Sequence, residues 1–309
     1  MEDYELRDLE ILGSEEKIFS PKSDFVFKNI FGDPNNKDIV IGFLKAILDM
    51  PHDEYLDVEF SNTFLNKKRR DGKYSILDLV ITTKSGHKID VEIQRAKLGD
   101  FEKRVVYYSS RLASDQLDSS EQYEKLCRSI VIFILDHDFF EQNKNKCFTR
   151  LRLCDVETGD EFTDIIEVDI LELPKVPKDH VNDPLYDWAD FFNAKTVEDL
   201  DKVSGKSKSI KKAVFNLKKL SADEEFKAEY EYWLKYEREK YLHGKKGFEE
   251  GLEVGVAKGL AEGETKKAIE LAVKLVRTSK MSLEEALSFT GLDKSSEQEI
   301  KALLNEKPE

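Results

Sequence analysis

The run Ser129-Ile130-Val131-Ile132-Phe133-Ile134-Leu135 constrains the fold more than any other feature of the chain. It is almost continuously apolar and rich in β-branched residues, the pattern of a strand buried on both faces. Helical patterns precede it. Residues 24–31 place Phe25, Phe27, Ile30 and Phe31 in a helix-like arrangement opened by Ser20-Pro21-Lys22-Ser23. Ile39, Phe43, Leu44 and Ile47 fall at helical spacing, and Pro51 ends that segment. Strands are expected at 56–64, 74–83 and 88–95, the last two joined by Lys84-Ser85-Gly86-His87. A helix over 101–117 puts Val105, Tyr108, Leu112 and Leu117 on one side, and further strands are expected at 148–153 and 165–173. The order is α, α, β, β, β, α, β with additional strands, an α/β chain.

Three regions follow from these patterns: a mixed region over 20–175, a helical extension over 176–242, and a distinct segment over 243–309. In the second, 184–192 reads as a helix whose Trp188, Phe191 and Phe192 dock on the first region, and further helices lie near Val197, Ser209 and Ala222. In the third, Gly247, Gly251, Gly255, Gly259 and Gly263 recur every four residues in sequence otherwise suited to helix. A glycine inside a helix costs about 1 kcal/mol relative to alanine. Five together suit either two helices packed closely along the stripe, and hence self-association, or a flexible tether. Residues 266–276 then read as an amphipathic helix, Ser282-Leu283-Glu284-Glu285 as a capping box, and a last helix spans 296–304. In that last helix and the turn before it, Asp293, Glu297 and Glu299 outnumber Lys294 and Lys301, which favours protein interaction over a helix reading a DNA groove.

The candidate chemistry lies in Ile76-Leu77-Asp78-Leu79-Val80 and Ile89-Asp90-Val91-Glu92-Ile93-Gln94. Side chains alternate along a strand, so Glu92 and Gln94 share one face and Val91 and Ile93 the other. A three-residue loop, Lys84-Ser85-Gly86, ending in a glycine of positive φ, places Asp78 directly opposite Glu92. A two-residue loop, Ser85-Gly86, separates them onto opposite faces. Two carboxylates about 5 Å apart suit a hard divalent cation. The amide of Gln94 is no base, but it can orient a water or ligate through its oxygen. The same residues also fit the wet face of an amphipathic hairpin.

The ordered series Lys22-Ser23-Asp24-Phe25-Val26-Phe27-Lys28, Phe31-Gly32, Asp78, Val91-Glu92-Ile93-Gln94, and Arg104 with Tyr107-Tyr108 resembles the recombination-promoting nuclease/putative transposase family of the PD-(D/E)xK nuclease superfamily. The resemblance extends through Leu171-Glu172-Leu173-Pro174 to the glycine-repeat tail, most of the chain. It implies a restriction-endonuclease-like αβββαβ core with a mixed central sheet followed by a helical C-terminal region, a bacterial host, and magnesium-dependent cleavage of DNA phosphodiesters, with Mn2+ or Ca2+ as alternatives. It assigns Asp78 and Glu92 to the metal and Gln94 to the position where many superfamily members carry lysine. The proline of the superfamily name is absent, since Leu77 precedes Asp78. Asp24 is either a further acid or a helix N-cap. Lys28, Arg104, Lys67 and Lys68 are candidate phosphate contacts, the last two within the basic run Lys67-Lys68-Arg69-Arg70-Asp71-Gly72-Lys73, which also suits a solvated loop. Of the adjacent Tyr107 and Tyr108, at most one is expected to face the site.

Composition narrows the rest. The net charge of −14 means that DNA binding must rest on local cations rather than on the overall balance. Three cysteines, Cys127, Cys147 and Cys154, with no C-x-x-C spacing, argue against a disulfide framework or a cysteine zinc site. With no basic-then-apolar leader and no apolar run of about 20 residues, the expected location is cytoplasmic and away from membranes. The five histidines lack metal-ligand spacing, and no nucleophile elbow or phosphate-cradling loop is present. The rival to a nuclease is a binding scaffold on the same fold, weakened by glutamine at position 94. A transposase that also joins strands would share the site.

Overall fold

The computed structural model describes residues 18–56, 58–61, 79–97, 99–118, 120–279 and 281–305. The chain divides into two compact units, Met1–Trp233 and Leu234–Glu309. The first holds helices α1 (Asp24–Phe31) and α2 (Lys37–Ile47), then strands β1 (Glu59–Ser61), β2 (Leu79–Thr82) and β3 (Lys88–Gln94). Helix α3 (Phe101–Ser114) leads to β4 (Ser129–Leu135), β5 (Phe148–Cys154) and β6 (Glu161–Glu172). Helices α4 (Pro184–Asn193), α5 (Val197–Ser204) and α6 (Lys208–Ala222) follow, and α7 (Glu224–Ser279) begins in this unit.

The six strands form one mixed sheet in the order β1-β2-β3-β4-β6-β5. β3, β4 and β6 run parallel, and the pairs β1–β2, β2–β3 and β5–β6 are antiparallel. All seven residues of β4 are buried, as its apolar run requires, because it lies in the parallel centre with cover on both faces. β6 starts four residues earlier than its apolar pattern suggested, since its polar first half pairs with β5 through two irregular steps after Arg152.

Helix α3 connects β3 to β4. Its Phe101, Val105, Tyr108 and Leu112 pack on Val80, Val131, Phe133, Leu135, Val168 and Ile170. On α1, Val26, Phe27, Ile30 and Phe31 are buried, whereas Phe25 turns toward Phe226, Tyr230 and Trp233 at the start of α7. Trp188, Phe191 and Phe192 of α4 are fully buried; the Trp188 ring lies 5.8 Å from Phe31 and 5.7 Å from Phe43, and its Nε1 donates to Gly42 O. Burying each such side chain contributes roughly 1.5–3 kcal/mol.

The glycine repeat lies within α7, which is helical throughout. The second unit has a small core of Ile269 and Ala272 from α7, Ala286 and Leu287 from α8 (Leu283–Thr290), and Ile300 from α9 (Glu297–Asn305). The capping box at Ser282 is formed in both directions with Glu285, and Gly291 ends α8 at φ 70°. Among the described residues, no helix is long and apolar enough to cross a membrane.

Candidate active site

The hairpin β2–β3 closes through three residues. Thr83 N donates to His87 O at 3.0 Å, Gly86 N to Thr83 O at 2.9 Å, and Gly86 has φ +87°, where only glycine rests without strain. Leu79 stands opposite Val91, Val80 opposite Asp90, and Thr82 opposite Lys88. Asp78, Lys67 and Lys68 lie outside the described residues.

Asp90, Glu92 and Gln94 share one face of β3, about 7 Å apart in succession. Across the parallel ladder they neighbour Val131, Phe133 and Leu135, all in the layer that packs against α3. The face is therefore covered. Asp90 is fully buried and Glu92 is 6% exposed, while Gln94, at the strand's end, is half-buried. That burial removes the wet-hairpin alternative for Glu92, because an acid on a solvated strand would be open to water. Gln94 Nε2 donates to Ala96 O at 3.2 Å, which leaves Oε1 as its donor atom toward a cation or a water.

Two residues of α3 reach this face. The Tyr108 ring stacks on Phe133, the neighbour of Glu92, with centroids 6.3 Å apart. Arg104 lies over Tyr108, 5.4 Å from the ring centroid, and its Nη2 donates to Tyr108 Oη at 3.1 Å. Tyr107 points outward, 46% exposed, and accepts from Arg111. Only Tyr108 turns inward, as adjacent helical positions require.

The start of α1 reaches the Gln94 end of the sheet through a relay. Lys22 Nζ binds Asp136 Oδ1 at 2.6 Å, just past β4, and Asp136 N donates to Gln94 O at 3.0 Å. Asp24 does not cap its helix: its Oδ2 accepts from Lys28 Nζ at 3.0 Å. Its Oδ1 is buried with no hydrogen-bond partner among the described residues, the state expected of an oxygen that awaits a cation or water. Beside Asp136, burial holds the His137 imidazole below its ordinary pKa. Among the described residues no three His, Cys, Asp or Glu side chains are grouped to hold a metal. A cation at Glu92 thus needs a donor from outside them, where Asp78 lies. The donors in question are carboxylate and amide oxygens, which suit a hard divalent ion.

Sequence reasoning passed over three residues that shape this region. Asp90 has the same parity as Glu92, and that signal was available. The Lys22–Asp136 pair spans 114 residues and carries no local signal. Glu172 is fully buried, with Oε1 accepting from Lys175 Nζ at 2.6 Å and from the backbone N of Phe139 and Phe140 at 2.6 and 3.0 Å. The Leu171-Glu172-Leu173-Pro174 motif is therefore a structural anchor for the turn after β4.

No curated protein and no solved structure matches the chain. A family described as PD-(D/E)XK nuclease family transposase matches residues 21–245, which include both helices before the sheet, all six strands and the helical extension. Nucleases of this kind generally use divalent metals, and the mixed six-stranded sheet with helices on it is consistent with their fold. The chain belongs to the PD-(D/E)XK nuclease family of transposases.

Proposed function

We propose that the protein is a magnesium-dependent DNA endonuclease whose metal is held by Asp78 and Glu92, with Gln94 and Asp24 completing the site. The observation that carries this reading is the burial of Glu92 beside Gln94 under α3, in a chain whose family match covers that hairpin. The three-residue loop and the pairing from Leu79 to Thr82 support it, because this is the loop length on which the sequence-based pairing of Asp78 with Glu92 depends.

Bound there, a divalent cation supplies Lewis-acid polarisation of the scissile phosphate and neutralises charge on the leaving oxygen. Glu92 and Asp78 fix its position, and Gln94 Oε1 orients the attacking water or adds a ligand. Asp24 supplies a further oxygen from the start of α1. Arg104, braced on Tyr108, offers a guanidinium to a phosphate, and Lys28, Lys67 and Lys68 add local positive charge to a chain whose net charge is −14. A glutamine at position 94 lacks the cation that many superfamily members place there, so turnover below that of lysine-bearing relatives is expected.

Cleavage of supercoiled plasmid with Mg2+, Mn2+ or Ca2+ tests the reading. Metal-dependent nicking lost in both Asp78→Ala and Glu92→Ala is the expected result. Nicking that survives both substitutions places the site elsewhere. A folded wild type that shows no cleavage with any of these metals favours the binding scaffold.

The same reading includes self-association through α7. Beyond the helix's own backbone, a Cβ added at Gly251, Gly255, Gly259 or Gly263 would meet nothing within 4 Å among the described residues. The adjoining Leu252, Val256 and Leu260 are 57%, 53% and 64% exposed. Light scattering on the full chain and on Gly255→Leu checks this: a dimer that the substitution dissociates supports it, and a wild-type monomer rejects it.

A further inference from the structure

β2 has a register that its own side chains do not determine. Leu79, Val80 and Ile81 are all apolar and buried, so a slide by one residue leaves both faces equally apolar while turning every side chain over. Two closures are compatible with the sequence: Lys84-Ser85-Gly86, which the structure adopts, and the two-residue turn Ser85-Gly86. β3 cannot slide to compensate, because its alternation of apolar and polar residues and its ladder to β4 fix it. The selection must come from outside the hairpin.

One buried side chain outside the hairpin contacts its turn directly. Glu54 sits in the turn His52–Tyr55, between α2 and β1, and is 8% exposed. Its Oε2 accepts from Thr83 Oγ1 at 2.7 Å and Ser85 N at 3.2 Å, and its Oε1 from Ser85 Oγ at 2.5 Å. Its backbone oxygen accepts from Lys84 N at 3.3 Å. The turn is itself tied to the end of α2, since Tyr55 Oη donates to Leu48 O at 3.2 Å. Hydrogen bonds to an ionised acceptor are roughly twice as strong as neutral ones. Those from Ser85, with that from Thr83, hold the Glu54 carboxyl below the usual range, so it stays ionised at neutral pH. A two-residue turn turns Thr83 to the other face and breaks this set.

We propose that Glu54 is a positioning residue that selects the three-residue register of the β2–β3 hairpin, and so determines which sheet face each β2 side chain takes beside Asp90 and Val91. The consequence for chemistry rests on the nuclease reading above; the register does not.

The two parts are tested separately. Thr82 and Lys88 face each other, so a Thr82→Cys/Lys88→Cys pair reports the register by forming a disulfide. The background carries Cys127→Ser, because Cys127 Sγ lies 3.3 Å from Ser85 O. With Glu54 present, oxidised glutathione should bridge the pair almost fully. Glu54→Ala should lower the bridged fraction several-fold, and Glu54→Gln, which keeps an accepting oxygen, should restore most of it. Ser85→Ala, a milder change, should give an intermediate fraction and keeps the test decisive if Glu54→Ala fails to fold. Equal bridging in wild type, Glu54→Ala and Ser85→Ala overturns the proposal. Separately, without the cysteine pair, Mn2+ titration should show affinity about tenfold weaker in Glu54→Ala and recovered in Glu54→Gln. A wild type that neither binds Mn2+ nor cuts DNA overturns the nuclease reading, and the disulfide result still decides the role of Glu54.

Discussion

Arg150→Met tests the other face of the sheet. Arg150, on β5, stands opposite Asp169 of β6. Its Nε and Nη2 donate to the two carboxylate oxygens at 2.9 and 3.0 Å, and Nη2 also donates to Ile47 O at 2.8 Å, closing the end of α2. The Asp169 side chain is fully buried and that of Arg150 is 27% exposed. Burial pushes the Asp169 carboxyl up to about 6 even with Arg150 beside it. Removing one partner of a buried pair costs about 3–5 kcal/mol. Partial exposure of Arg150 points to the lower end, about 3 kcal/mol at pH 8. Without the guanidinium, folded Asp169 keeps its proton to still higher pH than in the wild type. The folded variant therefore binds more protons than the folded wild type above about pH 6, and the loss of stability must grow as pH rises through that window. The slope is at most about 1.4 kcal/mol per pH unit. At pH 5 the carboxyl is mostly protonated in both proteins, and the loss falls toward that of the missing hydrogen bonds, about 1 kcal/mol. Urea unfolding at pH 5 and pH 8, followed by tryptophan fluorescence, measures it. Both tryptophans, Trp188 and Trp233, belong to the first unit, so the signal reports that unit alone. Adding Asp169→Leu to Arg150→Met should recover most of the loss at pH 8. An equal loss at both pH values, or no recovery in the double variant, refutes the reasoning.

Other substitutions separate nearby roles. Gly86→Val should cost at least about 1–2 kcal/mol in urea unfolding, because φ is +87° and a Cβ there sits 3.2 Å from Cys127 Sγ. Tyr108→Ala should cost about 3 kcal/mol by the same measurement, and Tyr107→Ala less than about 0.5, since only Tyr108 is buried against Phe133. Gln94→Lys should raise kcat for plasmid nicking at least about tenfold if a cation at that position stabilises the developing charge; an unchanged kcat in a folded variant would show that Gln94 is not limiting.

The elements that sequence reads best are those whose side chains settle the question locally. β4 and α1 have the expected bounds because an unbroken apolar run and an aromatic pattern opened by a turn allow few alternatives. Glu92 and Gln94 could be placed on one face by parity alone. Parity could not show whether that face was wet, because its cover comes from α3, seven residues beyond Gln94, through contacts of Tyr108 and Phe101 with Phe133. The role of Asp24 was open between capping and chemistry, and the i,i+4 bond to Lys28 decides against capping. Helix α7 runs from the helical extension into the glycine segment, and the chain divides into its two compact units within that helix, between Trp233 and Leu234. Glycine every four residues interrupts propensity without supplying a stop signal.

What remained hidden shares one physical form. Lys22, Glu54 and Glu172 are charged, buried, and placed in or beside turns, and each holds a segment far away in sequence by charge-assisted hydrogen bonds. A buried charge is costly unless its oxygens or protons are paired, so each of these residues makes one arrangement of its turn much more favourable than its neighbours. Apolar packing cannot do that for β2, where either face would bury equally well. Hydrophobic patterning thus specifies the sheet and its layers, and these three ionic contacts specify how its loops and strand ends are set. The candidate active site lies at such strand ends, with Gln94 joined by Asp136 to Lys22 at the start of α1. Geometry there depends on the contact of Lys22 with Asp136, more than a hundred positions apart, which is why the sequence offers candidate residues for the site but not the means of holding them in place.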